Sequence, residues 1–117
     1  MSVVEIKGRG KVWRRKVKAV SGGNVRVYYQ YLVTIPREYS DVIAERPVLL
    51  GVRLRAEGDE VTIHVTRAFK VGEHRDRGVV YYGFTIPKEF GEKHLGETVE
   101  FTASAYPVKK KRTEESI

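Results

Sequence analysis

Apolar and polar positions alternate with a period of two along most of this 117-residue chain, the pattern of strands with one covered face. It is clearest over residues 25–35. Val25, Val27, Tyr29, Tyr31, Val33 and Ile35 share one face, and Arg26, Tyr28, Gln30, Leu32 and Thr34 share the other. The first set is predicted to point inward. Residues 11–20, rich in Val and charge, form the strand before it, and Ser21-Gly22-Gly23-Asn24 forms the turn between them. Pro36 ends the ladder and suits a first helical turn. With Glu38 near the positive helix end, a short helix to about Ala44 follows, and Arg46-Pro47 stops it. Residues 49–55 and 61–66 flank the polar turn 56–60 as a hairpin. Leu50, Val52, Leu54, Val61, Ile63 and Val65 are its inward set.

The second half replays this order. Residues 67–71 form a strand and 72–78 a polar loop. A long strand covers 79–86, with Val80, Tyr82, Phe84 and Ile86 inward. Pro87 opens a helix that Gly96 closes. Residues 98–101 and 103–108 are the last strands, and 109–117 read as a tail. One phrase occurs in both halves. Thr34-Ile35-Pro36-Arg37-Glu38-Tyr39 aligns with Thr85-Ile86-Pro87-Lys88-Glu89-Phe90, 51 residues later, the spacing of an internal duplication.

Four short strands and one small helix cannot bury both sheet faces alone, whereas two such halves packed together can. Closure would also remove exposed sheet edges. The expected fold is therefore all-β, a single closed β-barrel with two short helices. Its repeats are 11–66 and 67–108, paired as a pseudo-dimer within one monomeric chain. Residues 1–10 form a basic N-terminal arm and 109–117 a basic C-terminal tail.

Composition narrows the function. The chain has no cysteine, which excludes disulfides, thiolate metal sites and cysteine catalysis. Charge follows Met1 too soon for a signal peptide, and no apolar run reaches membrane-spanning length. A cytoplasmic location without membrane attachment is expected. Single Asn, Gln and Met residues among abundant Lys, Arg and Glu point to a thermophilic source, archaeal by expectation. The net charge of +7 sits at the ends: residues 1–20 carry seven basic and one acidic side chain, residues 21–108 eleven and twelve, and residues 109–117 four and two. That asymmetry points to a polyanionic partner.

The repeated phrase, standing between an alternating strand and a helix, resembles the AbrB/MazE/SpoVT group of swapped-hairpin barrels. Residues 57–61 and 95–101 resemble that family's later strands. Members are about half this length and dimerise by interleaving hairpins, so the resemblance implies a tandem, fused form over roughly residues 11–108. It also implies a DNA-binding transcription regulator with basic residues on the first hairpin and at the helix starts. Leu32 and Gly83 stand where the family commonly carries arginine before the prolines.

Candidate chemistry is confined to nucleic-acid binding. His64, His74 and His94 show no ligand spacing, and zinc needs three or four converging ligands. Gly8-Arg9-Gly10 and Gly22-Gly23 lack the following helix that a phosphate cradle requires, so they read as turns. The serines carry no nucleophile motif. Enzyme activity, a metal and a cofactor are not expected. In Lys7-Gly-Arg-Gly-Lys-Val-Trp-Arg-Arg-Lys-Val-Lys18, Trp13 lies among cations. Such a segment can grip phosphates and stack on bases, although Trp13 also suits a core position. Tyr28 and Tyr81 face outward, where they can stack on bases or cover a sheet. The candidate nucleic-acid-binding residues are Lys7, Arg9, Lys11, Arg14, Arg15, Lys16, Lys18, Arg26, Arg75, Arg77, Lys109, Lys110, Lys111 and Arg112. DNA is the favoured partner. RNA or a ribonucleoprotein is the close variant. The rival class is a protein-interaction module, antitoxin-like or an assembly adaptor, although nine residues after Val108 are few for wrapping a toxin.

Overall fold

A computed structural model describes residues 3–41 and 43–108. Seven antiparallel strands dominate it: β1 (Val4–Ser21), β2 (Asn24–Thr34), β3 (Ile43–Ala56), β4 (Asp59–Arg67), β5 (Phe69–His74), β6 (Val79–Thr85) and β7 (Thr98–Val108). Short 3-10 turns cover Arg37–Asp41 and Arg75–Arg77, and one helix, α1, covers Lys88–Lys93. Among the described residues no helix is long and apolar enough to cross a membrane.

The strands form one ladder in the order β4-β3-β7-β1-β2-β6-β5. β1 belongs to both ends of the fold. Its residues Val4–Lys11 pair with β7, and Val12–Ser21 pair with β2. The expected closed barrel is not what the ladder shows, because the edge strands β4 and β5 do not pair. They follow one another with only Ala68 between, so they lie end to end rather than side by side. Ala68 is fully buried, and its N–H donates to the Pro47 carbonyl at 2.9 Å.

The strands that lead into the two copies of the repeated phrase pair with each other in the middle. In the β2–β6 pairing, Leu32 faces Thr85, Val33 faces Phe84 and Thr34 faces Gly83. The Ile35 N–H donates to the Tyr82 carbonyl at 2.8 Å, and the Ile86 N–H donates to the Tyr31 carbonyl at 2.9 Å. Corresponding residues thus make reciprocal bonds about the Val33–Phe84 pair. Tyr31 is buried, whereas Tyr82 is only half-buried. Ile6, Val12, Val33, Ile35, Leu49, Val52, Leu54, Phe84, Ile86, Val99 and Phe101 form the core. Phe84 and Phe101 meet edge to face with centroids 5.6 Å apart, a favoured arrangement of ring quadrupoles.

Several elements differ from the sequence expectation. Residues 4–10 are the first half of β1 rather than an arm, since Ile6 is buried and pairs with Ala103. β7 is one strand, not two. The first predicted helix is a 3-10 turn ending at Asp41, and β3 already runs through Pro47. The proline is tolerated there because the β3–β7 register is interrupted between Ile43 and Val48. A second shift, between Leu50 and Arg53, falls at Gly51, whose φ of 57° is the left-handed value a bulge uses. The extra residue swaps the inward position from Leu50, which is half-buried, to Leu49, which is fully buried. Val65, assigned inward, is 63% exposed. Arg67 ends β4 rather than starting β5, and β5 extends to His74 through part of the predicted loop.

Candidate nucleic-acid interface

The β1–β2 hairpin is far longer than the core needs. Its ladder runs unbroken from Val12–Val33 to Ser21–Asn24. Gly22 and Gly23, with φ of 56° and 83°, supply the two positive-φ positions of a tight hairpin turn. β7 pairs with β1 only as far as Lys11, and β6 pairs with β2 only from Leu32 onward. Beyond those points neither ribbon edge has a strand partner among the described residues, and every residue from Lys18 to Tyr29 is exposed. The alternation that predicts Val25, Val27 and Tyr29 as inward continues after the strand has left the core. These three side chains are 63%, 51% and 46% exposed.

The ribbon has two faces. Arg14, Lys16 and Lys18 lie opposite Tyr31, Tyr29 and Val27 on the face that continues the core side. The Arg14 guanidinium carbon sits 4.3 Å from the centroid of the Tyr29 ring, and Lys16 Nζ lies 6.0 Å from it, within cation–π range. The other face carries Trp13, Arg15, Val17 and Ala19 opposite Leu32, Gln30, Tyr28 and Arg26. Here Arg15 is held to the body. Its Nε donates to Gln30 Oε1 at 2.8 Å, Gln30 Nε2 donates to Thr85 Oγ1 at 2.8 Å, and its guanidinium lies 5.0 Å over Phe69. Trp13 is half-buried rather than core, and its Nε1–H donates to Thr34 Oγ1 at 3.0 Å.

The candidate binding residues therefore separate. Arg14, Lys16, Lys18 and Arg26 sit on the projecting ribbon, and none pairs with a carboxylate among the described residues. From Ile6 to Arg37 the chain holds nine cations and no carboxylate at all. Lys7, Arg9 and Lys11 lie lower on β1, with Arg9 paired to Glu100 at 3.1 Å. Arg77 is exposed in the second 3-10 turn. The side chain of Arg75 lies outside the described residues, as do Lys109, Lys110, Lys111 and Arg112.

Two features carry no mark in the sequence pattern. The first is a cleft of about 720 Å³ between the ribbon and α1, lined by Arg14, Val27, Tyr29, Lys88, Glu92 and Leu95 over Tyr31. Its two walls come from distant parts of the chain, so no local pattern marks it. The second is a latch behind α1. His94 is 4% exposed. Its Nε2 lies 2.8 Å from Asp59 Oδ2, and its Nδ1 lies 3.3 Å from Glu97 Oε1. The hydrogen bond to Asp59 holds His94 above the usual histidine range against the opposing effect of burial, and Glu97 adds to it. The same bond holds the Asp59 carboxyl below its usual range. An imidazolium donating from both nitrogens satisfies both carboxylates.

No family model, no curated protein and no solved structure matches this chain.

Proposed function

We propose that this protein binds nucleic acid through the β1–β2 ribbon, with duplex DNA as the favoured target, and acts as an AbrB-like regulator of transcription. The observation that carries the reading is a projecting two-stranded ribbon with cations on both faces, exposed tyrosines and no carboxylate. A ribbon of this kind is one of the shapes that the DNA major groove admits. Arg14, Lys16, Lys18 and Arg26 neutralise phosphates, which supplies affinity without sequence preference. The wedge of Val20 and Val25 at the tip, 72% and 63% exposed, reaches apolar groove surface. On this reading one chain does the work of a swapped-hairpin dimer, as a monomer formed from two fused repeats. The reciprocal Ile35–Tyr82 and Ile86–Tyr31 bonds support that descent.

The test is a direct titration of duplex DNA and duplex RNA of the same sequence, watched by fluorescence anisotropy at about 50 mM salt, where electrostatic binding is strong. Tighter binding of DNA is expected. Tighter binding of RNA transfers the reading to a ribonucleoprotein role, because the deep, narrow RNA major groove does not admit the ribbon. Absence of binding to either leaves the protein-interaction module as the better account.

A further inference from the structure

The cleft between the ribbon and α1 has a chemistry that groove binding does not use. One wall is the exposed Tyr29 ring with the Arg14 guanidinium stacked on it at 4.3 Å. Val27, 51% exposed, and Leu95, 40% exposed, add apolar surface. Lys88 and Glu92 close the far side as a loose pair, Nζ to Oε1 3.7 Å, with side chains 77% and 52% exposed. A volume of about 720 Å³ lies within the roughly 300–1,000 Å³ range of small-molecule sites. A flat π surface, apolar flanks, three cations (Arg14, Arg26 and Lys88) and one carboxylate acceptor converge on one space.

We infer that this cleft takes a single unpaired nucleotide of a nucleic-acid strand, a site that rests on the ribbon reading above. The base stacks on the Arg14–Tyr29 pair, since aromatic rings and guanidinium planes are the platforms on which unstacked bases lie. Its edges meet Val27 and Leu95. Lys88 and the free side of Arg14 meet the flanking phosphates. The Glu92 carboxylate accepts from an exocyclic amino group, which adenine, cytosine and guanine possess and thymine and uracil lack. The cations of the ribbon continue away from the cleft toward its tip, so the strand on one side of the unpaired base lies along Lys16 and Lys18. This explains why the Arg14-stacked ring of the ribbon sits at its base, beside α1, and not at its tip.

The experiment compares three probes with the full chain at about 50 mM salt: a labelled duplex with one unpaired adenine, the same duplex fully paired, and free AMP as competitor. The unpaired adenine is expected to tighten binding about 5- to 150-fold, the range that one base–aromatic stack supplies. Replacing the unpaired adenine by thymine is expected to give back part of that gain. Tyr29→Ala and Leu95→Ala each reduce the preference for the unpaired duplex. Both positions are exposed, so folding is preserved, and circular dichroism checks it. Equal affinity for the paired and unpaired duplexes overturns the inference and leaves the ribbon reading intact. A preference that survives both substitutions places the unpaired base elsewhere and likewise overturns it. AMP competing as tightly as the unpaired duplex shows a free-nucleotide site and overturns the strand-borne assignment. Failure of every probe to bind removes the ribbon reading together with the cleft.

Discussion

The two hairpins that lead into the copies of the repeated phrase both feed the central pairing and differ in length, burial and charge. β1–β2 and β5–β6 each deliver a strand to the central β2–β6 pairing. β5–β6 stops after a short, bulged ladder ending at His74–Val79, and Val71, Val80, Tyr81 and Tyr82 remain half-buried against the body. Its charges are mixed, with Lys70 bonded to Glu73 at 2.7 Å. β1–β2 runs on for a regular ladder to its glycine turn and leaves the body, with cations and no acid. The difference shows that two hairpins feeding the same central pairing can part company, one covering the core and the other reaching past it into solvent. Length and charge change together, because a ribbon beyond the core has nothing apolar to pack against and must be stabilised by its own ladder, its cross-strand pairs and its solvation.

Substitutions in body and ribbon sharpen that contrast. Phe84→Ala removes a fully buried ring at the centre of the β2–β6 pairing. It is expected to cost about 3–5 kcal/mol in a denaturant melt, as other buried Phe truncations do. Shortening the ribbon by joining Lys16 to Tyr29 through Asn-Gly is expected to leave stability within about 0.5 kcal/mol, since exposed positions carry little of it. A shortened chain that fails to fold would show that the ribbon is structural.

The latch gives a pH prediction for the body alone. His94 has its pKa raised in the folded state, so its contribution is complete below the ordinary value of about 6.5. It is lost as pH rises through the folded value. Asp59 has its pKa lowered, so its contribution holds above the ordinary carboxylate range and is lost only as pH falls through the depressed value. The melting temperature of the native chain is expected to decline from about pH 6.5 upward, while His94→Gln is less stable at the start of that range and flatter across it. Parallel curves would show that the latch does not couple to folding. The smallest effect is expected from Arg77→Ala. That residue sits on the short hairpin, so nucleic-acid affinity should change less than for Lys16→Ala. The reverse order would move the binding role from the β1–β2 ribbon to the β5–β6 hairpin.

Much of the scaffold is legible in the sequence. Period-two alternation marks β2 and β6, Pro36 and Pro87 mark where they end, and the doubled phrase stands at the ends of the two strands that pair at the centre. Three features are not legible. Alternation reports which side chains share a face and not whether that face is covered, so Val25 and Val27 read the same as Val33. The bulge at Gly51 inserts one residue and exchanges the roles of Leu49 and Leu50, a change invisible until the register is known. The first half of β1 looks like an arm because its partner β7 lies at the other end of the chain. That pairing also supplies β7 with an outer neighbour, the service β4 performs for β3. Of the site, the cations Arg14, Lys16, Lys18 and Arg26 are legible from charge. Arg15 is not separable from them, since only the fold brings Gln30 and Phe69 to it, and neither Tyr29 nor the α1 wall of the cleft carries a local signal.

On the proposed reading the ribbon grips phosphates. The most direct measurement is the salt dependence of duplex DNA binding by the native chain and by a variant carrying Arg14→Ala, Lys16→Ala, Lys18→Ala and Arg26→Ala. On a plot of log affinity against log salt, the variant's slope is expected to be shallower by about 0.9 for each phosphate no longer neutralised, with its melting temperature unchanged. Identical slopes for the two proteins would contradict the account.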